Sequence, residues 1–208
     1  MVIVHPPGGG PHPVDPDPLY DAIPAGSLLF RIYDPTDHGH PVNFRHWGPT
    51  GRFDHHIHPH GAPAHDPDHA VYYAAFTFPG CLVEVFGDDR VIDCGERRLA
   101  VTRIGRALRL LDLRGAGAMR VGSVAALTSI VDRNLTQQWA RFLYGHANVL
   151  PTTDGMIYPN AHNGEDAVVI FERAADAVNL VENHRLDDPR LEDALRHAAR
   201  THNLVFNC

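Results

Sequence analysis

Apolar positions recur at helical spacing in two long stretches and form short β-type runs elsewhere. Leu135, Trp139, Phe142 and Leu143 share one face of a helix over 132–146, with Asp132 placed to cap it. Leu191, Ala194, Leu195 and Ala198 do the same over 189–202. Thr77 can cap a third helix through 86, because Pro79 is tolerated in a first turn. Strands are expected at 27–33, 71–75, 99–104, 107–113, 155–158 and 167–171. Residues 34–69 are rich in His, Pro and Gly and read as loop. Residues 1–24 hold a Pro, Gly and Asp cluster with few core-forming side chains, and read as a disordered tail. That leaves one domain, 25–208, without an internal repeat. Strands interleaved irregularly with helices predict an α+β fold rather than a doubly wound sheet.

Composition narrows the chemistry. The chain has 208 residues, a net charge of -7 and 44% hydrophobic residues. That is enough apolar material for a core, and the charge argues against direct nucleic-acid binding. All 18 basic residues are arginine. Lysine Schiff-base chemistry and a P-loop lysine are therefore excluded. Cys81, Cys94 and Cys208 are odd in number and widely spaced, so no disulfide framework or CxxC metal pair is expected. A reducing, cytoplasmic setting follows. The N-terminus lacks the basic-then-apolar pattern of a signal peptide, and no apolar run approaches the roughly 18 residues of a membrane span.

Four side chains carry most of the candidate chemistry. Arg31 lies in LLFRIY, Arg52 in GPTGRFD, and Tyr72 and Glu84 in AVYYAAFTFPGCLVEVF. Guanidinium stays charged at any working pH and pairs bidentately with phosphate, so two such cations suit a pyrophosphate. An aromatic face suits a flat base or a ribose edge. A fixed carboxylate suits the oxocarbenium-like ribose that forms when a glycosidic bond breaks. Together they describe a site for cleaving a dinucleotide such as NAD, with Glu84 and Arg52 as candidate catalytic residues and Arg31 and Tyr72 as candidate substrate-binding residues.

The same segments resemble the RES-domain family, in order, from about Leu28 to about Phe171. Arg31 falls at the family's first arginine. Arg52 falls in its "GGRWN"-like turn, Tyr72 in "vYlA" and Glu84 in "tALaEv". DGMIYPN resembles the later "dGi.YpS", with Asn160 at the position of the family serine. The resemblance implies an ADP-ribosyltransferase-like fold and an NAD glycohydrolase or phosphorylase, with water or phosphate as acceptor. It needs no cofactor beyond NAD as substrate and no metal. It also implies the toxin half of a bacterial toxin–antitoxin pair, partnered by an Xre-like helix-turn-helix antitoxin. Self-association is left open. Asn160 can replace a serine that orients a ribose or phosphate oxygen, since an amide both donates and accepts.

Three other readings compete. If Asn160 crowds the substrate, the chain becomes a weak or inactive RES-like binding protein. His55, His56, His58, His60, His65 and His69, with Asp54, Asp66 and Asp68, could make a metal-dependent hydrolase, although no HExxH helix is present. His55 is also close enough in sequence to Arg52 to reach the same pocket. The arginines at 97, 98, 103, 106, 109, 114 and 120 could dock an acidic partner, but solvent faces of strands explain them more simply. Ser27, Ser123 and Ser129 offer no nucleophile elbow.

Overall fold

The computed structural model describes residues 2–208, for His38 the backbone only. In chain order the elements are β1 (Tyr20–Ile23), β2 (Leu28–Tyr33), α1 (Pro35–His38), β3 (Trp47–Gly48), β4 (Ala64–His65), β5 (Val71–Ala75) and α2 (Phe78–Phe86). Then follow β6 (Val91–Asp93), β7 (Arg98–Ile104), β8 (Leu108–Asp112), α3 (Ala116–Arg120), α4 (Arg133–Gly145), β9 (Gly155–Pro159), β10 (Asp166–Phe171), β11 (Val178–Arg185), α5 (Glu192–His202) and β12 (Val205–Asn207).

Eight strands form one sheet in the order β1-β8-β9-β10-β5-β2-β7-β11. Its neighbours are antiparallel except β8 and β9. The fold is α+β, as the element pattern predicts. The central strands are apolar on both faces because both faces are covered. On β10, Ala167, Val169 and Phe171 join the core beneath α4, where Trp139, Ala140 and Leu143 pack. Val168 and Ile170 point the other way, toward Leu108, Leu110 and Tyr72. A third core joins Leu82 and Phe86 of α2 to Leu195, Ala198 and Ala199 of α5, over Ile32, Leu99 and Val101.

The helix signals act as read. The Thr77 hydroxyl accepts from Gly80 N–H and the Asp132 carboxylate from Leu135 N–H. Among the described residues, no helix is long and apolar enough to cross a membrane.

Two expectations need correction. Of the expected tail, Met1 lies outside the described residues, but residues 20–23 form the edge strand β1, in register with β8. The segment before it also has partners: Trp139 Nε1 donates to the His5 carbonyl and Asn148 Nδ2 to that of Pro16. Its few apolar residues hid a segment held mainly through its backbone. Second, Cys94 and Cys208 form a disulfide, leaving Cys81 free and buried. The parallel pairing of β12 with β6 brings these distant cysteines together, which spacing along the chain does not reveal.

Three arginines of the basic stretch serve the fold. Arg114 pairs with Asp21, Asp112 and Asp166, Arg106 with Asp154, and Arg120 with Asp17.

Candidate active site

The ladder between β2 and β5 holds at one Cα pair, Phe30↔Ala75. Beside it lies a cleft of about 510 Å³, within the usual range for small-molecule sites. Arg31 reaches it from β2, Tyr73 and Ala74 from β5, and Glu84 and Val85 from α2. Gly51 and Arg52 come from a turn, Arg133 from the start of α4, and Tyr158 and His162 from the β9 end. Segments far apart in sequence thus bring Arg31, Arg52 and Glu84 to one cavity.

Arg31 is the deepest cation, 7% exposed. It donates to the Asn43 carbonyl at 2.8 Å, and its guanidinium lies 4.5 Å from the Tyr72 ring centroid. Desolvation pulls its pKa down, and the Tyr72 phenol group opposes that. Arg52 is half-buried and donates to the Ile130 carbonyl. Desolvation and the like charge of Arg133 lower its pKa, while Glu84 opposes them. Among the described residues, no carboxylate stands within ion-pairing distance of Arg31, Arg52 or Arg133. Arg45, also on the wall, is paired with Asp54 at 2.9 Å. Cations left in a partly desolvated cleft favour an anionic ligand.

Glu84 follows from helix geometry. The α2 helix buries Gly80, Cys81, Leu82, Val83 and Phe86, and so turns Glu84 and Val85 outward. Glu84 is open to the water of the cleft mouth, yet the walls around it desolvate its carboxyl and raise its pKa; His162 and Arg52 oppose the rise. His162 packs on Gly87, where an added Cβ would lie 2.5 Å from its ring, and its Nε2 is 3.8 Å from Asp88. Burial pushes the Cys81 thiol up to about 12, so it is protonated at neutral pH and a poor nucleophile.

Two sequence-derived assignments change. Tyr72 is fully buried and does not line the cleft; it is the platform beneath Arg31. Its neighbour Tyr73, on the opposite strand face, lines the wall. Asn160 does not line the cleft either. Its Oδ1 accepts from His162 N–H at 3.0 Å and Asn163 N–H at 2.9 Å, and its Nδ2 donates to Asn163 Oδ1. Asn160 therefore shapes the turn that carries His162.

The histidine loop is tied up elsewhere. His55 bonds Glu172 at 2.9 Å and stacks on Tyr144, His56 bonds the Arg45 carbonyl, and His69 bonds Asp66. His55 is not on the cleft wall. Among the described residues, no group of three or more His, Cys, Asp or Glu side chains could hold a metal ion.

Sequence reasoning missed Arg45, Asp54, Arg133 and His162 as parts of the site. Only Asp54 had a local signal, a short polar acceptor closing the Gly51 turn.

The chain matches the family model described as RES domain over residues 28–193. "Probable toxin y4kH" of Sinorhizobium fredii (strain NBRC 101917 / NGR234) is 31% identical over 104 residues, spanning 50% of this chain and 80% of that protein. In the crystal structure of the M. tuberculosis MbcT–MbcA toxin–antitoxin complex, one chain matches 85% of this chain over 92% of its own length, with a TM-score of 0.57 at 18% identity, a likeness of fold. The family match takes in every cleft segment from Arg31 to His162, and the chain belongs to the RES-domain family.

Proposed function

We propose that the protein consumes NAD by cleaving its nicotinamide–ribose bond, and that it acts as the toxin of a toxin–antitoxin pair in the cytoplasm. One observation carries the chemistry: Arg31 and Arg52, without carboxylate partners among the described residues, share a cleft with Glu84. The two guanidiniums hold the pyrophosphate, each charge-assisted bond contributing roughly 1.5–3 kcal/mol. The C1′–N bond breaks and its electron pair moves to the nicotinamide nitrogen, which leaves neutral. Glu84, as carboxylate, stabilises the positive charge developing on the ribose. A water or phosphate oxygen then bonds to C1′, and a water acceptor loses its proton.

The toxin reading is supported by the family, by the name of the Sinorhizobium relative and by the toxin–antitoxin complex of the structural neighbour. An Xre-like antitoxin that restrains the enzyme in its own cell is part of the reading. The test is free nicotinamide released by purified protein, with and without phosphate. NAD left intact by concentrated, folded protein under both conditions would overturn the activity. Host growth and NAD unchanged by expression without an antitoxin would overturn the toxin role.

A further inference from the structure

Asp54 is fully buried, and its carboxylate gathers parts of the cleft around itself. Oδ2 accepts from Thr50 N–H at 2.6 Å and Gly51 N–H at 2.8 Å. Oδ1 accepts from the Tyr73 hydroxyl at 2.8 Å, and Arg45 Nη2 lies 2.9 Å from both oxygens. An unpaired carboxylate at this depth would be strongly destabilising, so the donor set keeps it in place. Desolvation alone would raise its pKa, but Arg45 and the two amides hold the carboxyl below its usual range.

Three of the Asp54 partners, Thr50, Gly51 and Tyr73, bear on Arg52. Thr50 and Gly51 immediately precede that arginine. The Gly51 carbonyl accepts from Gln137 of α4 at 2.9 Å, which braces the turn from outside. Phe53, on the other side of Arg52, is buried against Tyr158, and its N–H donates to the Tyr73 hydroxyl at 2.9 Å. Gly51 has no room for a side chain: a Cβ there would lie 2.7 Å from the Tyr73 oxygen and 2.8 Å from Asp54 Oδ1.

We propose that Asp54 is a positioning residue that fixes the Thr50–Gly51 backbone and thereby aims Arg52 at the anionic part of the ligand. This rests on the dinucleotide reading of the cleft. It assigns Asp54 an electrostatic task without contact with substrate, and it makes Arg45 the counter-ion of that carboxylate rather than a third ligand cation.

The test is a double-mutant cycle. Wild type, Asp54→Asn, Arg52→Ala and the double variant are titrated with ADP-ribose by calorimetry and assayed for NAD turnover. Asp54→Asn is expected to weaken ADP-ribose binding at least about tenfold and raise KM similarly, with a smaller change in kcat. The double variant is expected to bind no more weakly than Arg52→Ala, because Asp54 acts through that side chain. Additive losses, or wild-type affinity in folded Asp54→Asn, overturn the proposal. If Asp54→Asn does not fold, Gly51→Ala keeps the carboxylate and displaces the same turn; the same coupled loss is expected, and wild-type binding overturns the idea. Wild-type protein that binds neither NAD nor ADP-ribose brings down the dinucleotide reading itself, and this inference with it.

Discussion

Arg52 and Glu84 face one cleft and bias each other's ionisation without forming an ion pair. The separation leaves both charges available to a ligand, on the proposed reading one for phosphate and one for a developing ribose cation. Replacing Glu84 by Gln keeps size and removes charge. Turnover is expected to fall at least about a hundredfold, or about 2.7 kcal/mol, with NAD affinity little changed. Desolvation raises the Glu84 pKa, and the reaction requires the carboxylate. Activity should therefore rise with pH through a limb above the ordinary glutamate range, and Glu84→Gln should lack that limb. A pH profile of nicotinamide release in both proteins checks this.

Tyr72 supports Arg31 from below, and its buried hydroxyl, near Thr102 and Arg31, has no well-formed hydrogen bond among the described residues. Tyr72→Phe keeps the ring and is expected to cost less than about 1 kcal/mol in stability, with NAD affinity nearly unchanged. Tyr72→Ala removes platform and packing, and is expected to cost about 3–5 kcal/mol and weaken NAD binding. Denaturant melts and NAD titrations of both variants separate a platform from a substrate contact. A large binding loss in stable Tyr72→Phe would return the hydroxyl to the ligand.

Asn160 closes the turn that presents Ala161 and His162. Asn160→Ala removes two acceptor bonds to backbone N–H groups, an expected loss of about 1–2 kcal/mol in stability. Asn160→Ser keeps a shorter acceptor and is expected to lose less, with turnover staying within about threefold of wild type. Melting curves and turnover of the pair check whether the residue acts through the turn. A large gain in turnover for Asn160→Ser would show that the native side chain obstructs catalysis.

Glu172 is a stability switch away from the cleft. Burial would raise its pKa, but hydrogen bonds from His55 and Tyr144 outweigh that and hold it at about 2, against an ordinary 4.5. Its folded pKa is depressed, so its contribution is present above the unfolded value and lost as pH falls from about 4.5 toward about 2. Wild type should lose stability across that window. Glu172→Gln should start lower and show a flatter dependence there. Urea unfolding at stepped pH measures both.

How much of this was legible differs by element. The α2 and α4 helices carry their own caps, and α4 its periodic apolar face, so local rules found both. β11 reads VNLVENHR, polar and mostly exposed on the sheet edge, and no apolar alternation marked it. That Tyr73 and not Tyr72 faces the cleft was hidden for a physical reason. Both faces of β5 pack against core, so the usual contrast between inward and outward positions is missing. Arg31, Arg52 and Glu84 were legible through motif order. Arg133 and His162 enter the cleft from segments distant in sequence, which only the folded sheet brings together.

The strand order has a consequence for how the protein comes into being. Nearly every neighbour in β1-β8-β9-β10-β5-β2-β7-β11 is joined across a long stretch of chain, with loop-closure entropy opposing each contact until many form together. The cleft draws on β2, the Arg52 turn, α2, the start of α4 and the turn after β9, so a growing chain lacks the site until residues beyond 160 have emerged. On the NAD-consuming reading proposed above, that delay would act as a timer: the nascent polypeptide would lack activity through most of its synthesis, and a restraining partner made alongside it would have that interval in which to arrive.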